Sequence, residues 1–210
     1  MKAENTWLDL RAESATDGNP IDLLAATIRP LSIHQNMVHG NIMVAGCGGG
    51  FPERVMLCSP DPNFAQLEPW VNSLTCADPD FFTSPELVLD SPVETRFTGQ
   101  KPNLKQGRVT YFPASLQTIL PSIDKSVFDT VLFFRIQRLQ DQLQEGLFEK
   151  LQRVIKSGGY LLGSGSFKSA EDCTAIFQGA FDIEQIAALM NPDYSGYAYN
   201  QHLGFVLRKK

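Results

Sequence analysis

The sequence predicts an α/β fold, with helices doubly wound around a mostly parallel sheet. Two features carry that prediction. The first is Asn41–Phe51, NIMVAGCGGGF, where the apolar run Ile42-Met43-Val44-Ala45 meets four glycines in five residues. Such a run reads as a strand buried on both faces, and the glycines turn the chain tightly and let a ligand approach the backbone. The second is the half after Arg108, where β-branched and aromatic runs alternate with helical spacing. That order gives parallel strands joined by crossovers.

In chain order, residues 1–40 read as an N-terminal helical cap and 41–210 as the sheet domain. Asp17-Gly18-Asn19-Pro20 is a turn, Pro20 opens a helix through Ile28, and Pro30 ends it. Leu31, Ile33, Met37 and Val38 suggest a second short helical piece. After the glycines, Pro52 and Glu53 suit the first turn of a helix. Phe64 to Leu74 looks helical, interrupted at Pro69. Leu74-Thr75-Cys76-Ala77 resembles a short strand ending at Asp78. Arg108–Phe112 and Phe128–Phe134 are strands. Leu143, Leu147, Leu151, Val154 and Ile155 are spaced for one helix over Leu139–Ile155, which Ser157-Gly158-Gly159 stops. Tyr160–Phe167 is a strand, Ala170–Gln178 a short helix, and Phe181–Leu189 and Gln201–Leu207 the last strands.

Composition narrows the function classes. A length of 210 residues suits one domain, and the formal net charge of −5 carries no block of like charge. From this balance no nucleic-acid partner is expected. No stretch reads as a membrane span or a secretory signal, so no membrane partner and a cytoplasmic location are expected. The four cysteines, Cys47, Cys58, Cys76 and Cys173, lack paired ligand spacing, so a reduced compartment and no metal are expected. Oligomeric state is open.

The motif order resembles the class I, Rossmann-like methyltransferases that use S-adenosylmethionine. VAGCGGG, Val44–Gly50, looks like their GxGxG loop. FDTVLFF, Phe128–Phe134, looks like their fourth strand, and LQRVIKSGGY, Leu151–Tyr160, like the segment before their fifth. The resemblance covers Asn41–Lys210 and implies a seven-stranded sheet with an antiparallel last strand. It implies S-adenosylmethionine as cofactor and methyl transfer to a small-molecule acceptor. A dinucleotide fold needs GxGxxG, and its third glycine would fall on Phe51.

The resemblance also proposes site residues. Gly46, Cys47, Gly48 and Gly50 form the cofactor loop, and Ser115 and Phe134 lie at the ends of the third and fourth strands. The ribose carboxylate is Asp78, with Asp61 as the alternative. Around the acceptor stand Arg135, suited to an anionic group, with His34, Tyr197 and His202. Ser164, Ser166 and Phe167 also end a strand there, and Tyr194 and Tyr199 flank Tyr197. His39 precedes the first strand, which places it at the opposite end. No catalytic base is identified. A methyl acceptor needs one only if it holds a proton it does not readily lose. Two family acids are missing, with Val44 and Ala114-Ser115 in their places. A non-catalytic scaffold with this fold is therefore the alternative function.

Overall fold

The computed structural model describes residues 31, 35–46, 71–77, 109–112, 114–136, 138–189 and 201–210. Seven strands form one sheet: β1 Gly40–Ala45, β2 Val71–Ala77, β3 Val109–Phe112, β4 Phe128–Ile136, β5 Ile155–Phe167, β6 Phe181–Leu189 and β7 Gln201–Lys209. Their spatial order is β3-β2-β1-β4-β5-β7-β6. The pairs from β3 through β5 are all parallel, and β7 runs antiparallel to both β5 and β6. The fold is thus mixed α/β, mostly parallel, with the reversed strand last in the chain.

Four short α-helices are described: α1 Leu116–Ile119, α2 Leu139–Gln142, α3 Phe148–Val154 and α4 Ala170–Phe177. They pack on one face of the sheet. Met43, Ala45, Val131, Phe133, Leu161, Phe205 and Leu207 point from the strands into a single core with Leu116, Leu139, Leu151, Cys173 and Phe177. Phe177 meets Phe148, Phe167, Phe181 and Phe205 with ring centroids 5.7–6.2 Å apart, mostly edge to face, the favoured aromatic geometry. Burial pushes the Cys173 thiol within this core up to about 12. On the opposite face Ile42, Val44, Leu132, Leu162 and Val206 are equally buried, together with Leu31 and Val38. The central strands are apolar on both sides because both sides are covered.

Several boundaries differ from the sequence reading. The helix over Leu139–Ile155 is broken at Glu145–Gly146, where Gly146 takes φ +97°, and it ends at Val154. Leu143, Leu147 and Leu151 are buried on both sides of the break, so the apolar spacing runs through it unaltered. The predicted glycine stop instead lies inside β5. Phe128 pairs with Ile155 and Thr130 with Tyr160, so Lys156–Gly159 bulge out, with Gly158 at φ +76°. The reading of helix up to Leu74 also fails. Val71, Asn72 and Ser73 already belong to β2, and the Ser73 hydroxyl donates to Asn41 Oδ1 at 3.0 Å. Of the cap expected over 1–40, only Leu31 and 35–40 are described, and the helix through Ile28 lies outside the described residues.

The amino edge of the sheet is held by one carboxylate. Asp129 accepts from the Asn41 backbone N–H at 2.8 Å and from Lys156 Nζ at 2.7 Å. Gly40, at φ +70°, lies against it, and a β-carbon there would overlap the carboxylate. Burial pushes the Asp129 carboxyl up. The Lys156 and Asn41 hydrogen bonds and the Lys156 charge outweigh that and hold it below its ordinary value. His39 lies at this same edge, as expected, with its backbone N–H 3.4 Å from Thr130 Oγ1.

Candidate functional site

In an open parallel sheet, ligands lie outside the carboxyl ends of the strands, at the point where the strand order reverses. Here that point is β1, with β2 on one side and β4 on the other. The ladder between β1 and β2 extends one residue past β1, because the Gly46 N–H donates to the carbonyl of Ala77, the last residue of β2, at 3.0 Å. Gly46 then turns away at φ +72°, a conformation glycine adopts without steric cost. Cys47, Gly48 and Gly50 follow it directly in the chain but lie outside the described residues, as do Asp61 and Asp78. Asp78 is the residue immediately after β2.

At the end of β3, Ser115 is the N-cap of α1. Its carbonyl accepts from the N–H groups of Thr118 and Ile119 at 3.0 and 3.2 Å. Its hydroxyl lies 3.1 Å from Thr118 Oγ1 and caps no backbone N–H.

β4 reaches two residues further than the sequence suggested and takes in Phe134, Arg135 and Ile136. Phe133 pairs with Gly163, but Ile136 pairs with Gly165. Three steps on β4 therefore match two on β5, and Phe134 and Arg135 share the extra step. Ile136 packs against the same core as Phe133. A bulge at this edge ends the pairing and redirects the backbone where the ligand site begins. The neighbouring backbone is tight. Gly163 has φ +130°, and a β-carbon on it would overlap the Phe133 carbonyl.

β5 and β7 continue past β4, with Ser166 opposite His202 and Phe167 opposite Gln201. Ser164 and Ser166 are buried polar residues of this edge. Gln140 is buried beside it, and its Oε1 accepts from the Lys168 N–H at 2.8 Å. The structure thus brings Gly46, Ser115, the Phe134–Arg135 step and His202 to one edge. His34, Tyr194, Tyr197 and Tyr199 lie outside the described residues. Gln140 was missed because it lies on a short helix with no chemical motif around it. Among the described residues no group of three metal-ligating side chains occurs, and no helix is long and apolar enough to cross a membrane.

No family model and no curated protein matches this chain. Solved structures do. A 16S rRNA adenine methyltransferase from Catenulisporales acidiphilia, solved with S-adenosylmethionine, is similar at 13% identity and TM-score 0.50, over 92% of each chain. The antibiotic-resistance methyltransferase Kmr is similar at 13% identity and TM-score 0.51, over 83% of this chain and 89% of that one. An S-adenosylmethionine-dependent methyltransferase from Methanosarcina mazei is similar at 14% identity and TM-score 0.50, over 82% and 93%.

These likenesses correct one expectation. The charge balance predicts no nucleic-acid partner, yet an enzyme named for acting on rRNA has this same fold along nearly its whole length. Net charge is a sum over the molecule, and a local basic patch is invisible in it. Strand order, the reversed last strand and these likenesses agree, and the chain has the fold of the class I, S-adenosylmethionine-dependent methyltransferases.

Proposed function

We propose that this chain is an S-adenosylmethionine-dependent methyltransferase acting on a small molecule. The observation that carries the reading is the glycine turn at Gly46, set at the reversal point of a sheet ordered β3-β2-β1-β4-β5-β7-β6. The cofactor supplies an activated methyl group, so the protein's work is to bind, orient and exclude water. Gly46, Cys47, Gly48 and Gly50 are the loop against which it lies. Asp78 takes the ribose hydroxyls, supported by its place directly after β2. Ser115 and Phe134 flank the cofactor from the ends of β3 and β4.

The acceptor side is assigned to Arg135, His34, Tyr197 and His202. Arg135 suits an anionic group on the acceptor, because a guanidinium pairs with carboxylate or phosphate through two parallel hydrogen bonds. One observation favours the scaffold alternative. Val44, where the family has an acid, is fully buried and apolar.

Calorimetry with S-adenosylmethionine, S-adenosylhomocysteine and NAD in parallel tests the reading. Binding of the first two and not the third is expected. Arg135→Leu is expected to leave that binding unchanged and to cut transfer of labelled methyl by roughly a hundredfold through misorientation. Equal transfer by the variant removes Arg135 from the acceptor site. Labelling of ribosomal RNA rather than small molecules replaces the acceptor class.

A further inference from the structure

We propose that His202, beside Ser166 on the rim of the sheet, takes the proton from a neutral O–H or N–H methyl acceptor. This rests on the methyltransferase reading above and adds a residue role and an acceptor class to it.

The placement comes from register. The last pair between β4 and β5 is Ile136 with Gly165, and the next residue of β5, Ser166, lies opposite His202 of β7. The pair therefore stands one step beyond β4, on the edge that carries Gly46. Adjacent strands are about 4.8 Å apart, so β7 lies about 10 Å across from β4. A small acceptor spans that gap.

The face is also fixed. Leu161 and Phe167 of β5, with Leu203, Phe205 and Leu207 of β7, enter the aromatic core. Alternation puts Ser164, Ser166, His202 and Gly204 on the other face. Among the described residues that face is otherwise apolar here. Leu162 and Val206 are buried, and a β-carbon on Gly204 would come 3.0 Å from Leu31 Cδ1. Two buried hydroxyls, Ser164 at 0% exposure and Ser166 at 8%, and a half-buried imidazole make a polar step in an apolar wall. A few placed polar groups in an otherwise apolar wall are what orients a ligand in a binding site.

The step is rigid. β-Carbons on Gly163 and Gly165 would overlap the Phe133 carbonyl and the Leu139 side chain, so β5 is seated directly on its neighbours. Among the described residues, few charges adjoin it in register. The residues paired with His202 are Ser166 on β5 and Leu189 on β6, and its strand neighbours are Gln201 and Leu203. Among the described residues of the hairpin, the charged ones, Asp182, Glu184, Arg208 and Lys209, lie towards its other end, with Asp182 opposite Arg208 and Lys209 opposite Phe181. Lys168 follows β5 at this end, and Arg135 lies near the end of β4 on the same edge. A neutral imidazole accepts a proton.

The step balances. The acceptor's lone pair forms the new bond to the methyl carbon as the carbon–sulfur bond breaks. Sulfur keeps that electron pair and becomes a neutral thioether. The acceptor's proton passes to the His202 ring and then to water. A carboxylate or thiolate acceptor carries no such proton and needs no base, so a base here serves hydroxyl or N–H acceptors. The anionic group held by Arg135 is a separate part of the same molecule.

The test follows the ring nitrogens of the full chain, labelled at histidine and saturated with S-adenosylhomocysteine. Only three histidines are present, so His202→Gln and His39→Gln assign the signals. Titration runs over about pH 5–8, where histidine changes charge, without and with phenol or aniline as simple O–H and N–H probes. A probe is expected to move the His202 midpoint by at least about 0.3 pH unit and to leave His39 in place. Ser166→Ala is expected to weaken that response. A His202 midpoint unmoved by both probes, or a His39 midpoint moved as far, overturns the inference. Calorimetry keeps the two readings apart. S-adenosylhomocysteine is expected to bind wild type and His202→Gln within about twofold. Absence of binding to wild type refutes the methyltransferase reading, whereas binding with an unresponsive His202 refutes only this role. If His202→Gln fails to fold, Ser166→Ala, which retains the imidazole, carries the titration test.

Discussion

Single residues decide what the switch point holds. β2 runs through Ala77 and pairs with β1 residue by residue from Asn41 opposite Ser73, so its carboxyl end is followed by Asp78 and not by Asp61. A carboxylate accepting from both ribose hydroxyls makes charge-assisted hydrogen bonds worth about 1.5–3 kcal/mol each. Asp78→Ala is expected to weaken S-adenosylhomocysteine binding at least about tenfold in calorimetry. Asp61→Ala is expected to leave it unchanged, and the opposite ranking moves the ribose site. Gly163 makes a separate demand. With φ +130° and the Phe133 carbonyl where a β-carbon would sit, it has no room for alanine. Left-handed strain and overpacking together cost at least about 2 kcal/mol. Gly163→Ala is therefore expected to lower the melting temperature by roughly 5 °C. A variant that melts with wild type shows that the β4–β5 contact gives way.

At the scale of elements, Asp129 joins three strands: β4 that bears it, β1 through the Asn41 N–H, and β5 through Lys156. Its carboxyl titrates below the ordinary value in the folded chain. The stabilisation is therefore present above the unfolded value of about 3.9 and is lost as pH falls through the lower folded one. Acid unfolding of Asp129→Asn is expected to show a shallower fall in stability below about pH 4 than wild type. Identical acid profiles remove Asp129 from the linkage.

β3 and β4 were legible because each is a compact run of β-branched and aromatic residues. β2 was half hidden, since Asn72 and Ser73 look polar in isolation and join the strand through tertiary pairing, Ser73 by its bond to Asn41. The break at Gly146 was hidden because leucine spacing persists across it. The site divides the same way. Glycine turns are written in local sequence. The Ser166–His202 pair exists only through the reversed direction of β7, which no local pattern encodes.

For the whole molecule, the ligand site joins parts that meet only on folding. Gly46, Ala77 and Arg135 are far apart in the chain, yet β2, β1 and β4 lie side by side. An unfolded chain does not assemble that crevice, so a ligand of the carboxyl edge binds only the folded state and stabilises it by linkage. At a concentration 100 times its dissociation constant the gain is about 2.7 kcal/mol. For a chain of this size that raises the melting temperature by roughly 5–10 °C. S-adenosylhomocysteine is expected to give this shift. NAD at the same concentration is expected to give less than about 1 °C, because the chain carries Phe51 where a dinucleotide fold needs its third glycine. The shift needs no acceptor, so it separates cofactor binding from catalysis. A shift with S-adenosylhomocysteine but no labelled methyl transferred to any acceptor supports the scaffold. A larger shift with NAD, or none with either ligand, overturns the cofactor assignment while leaving the fold intact.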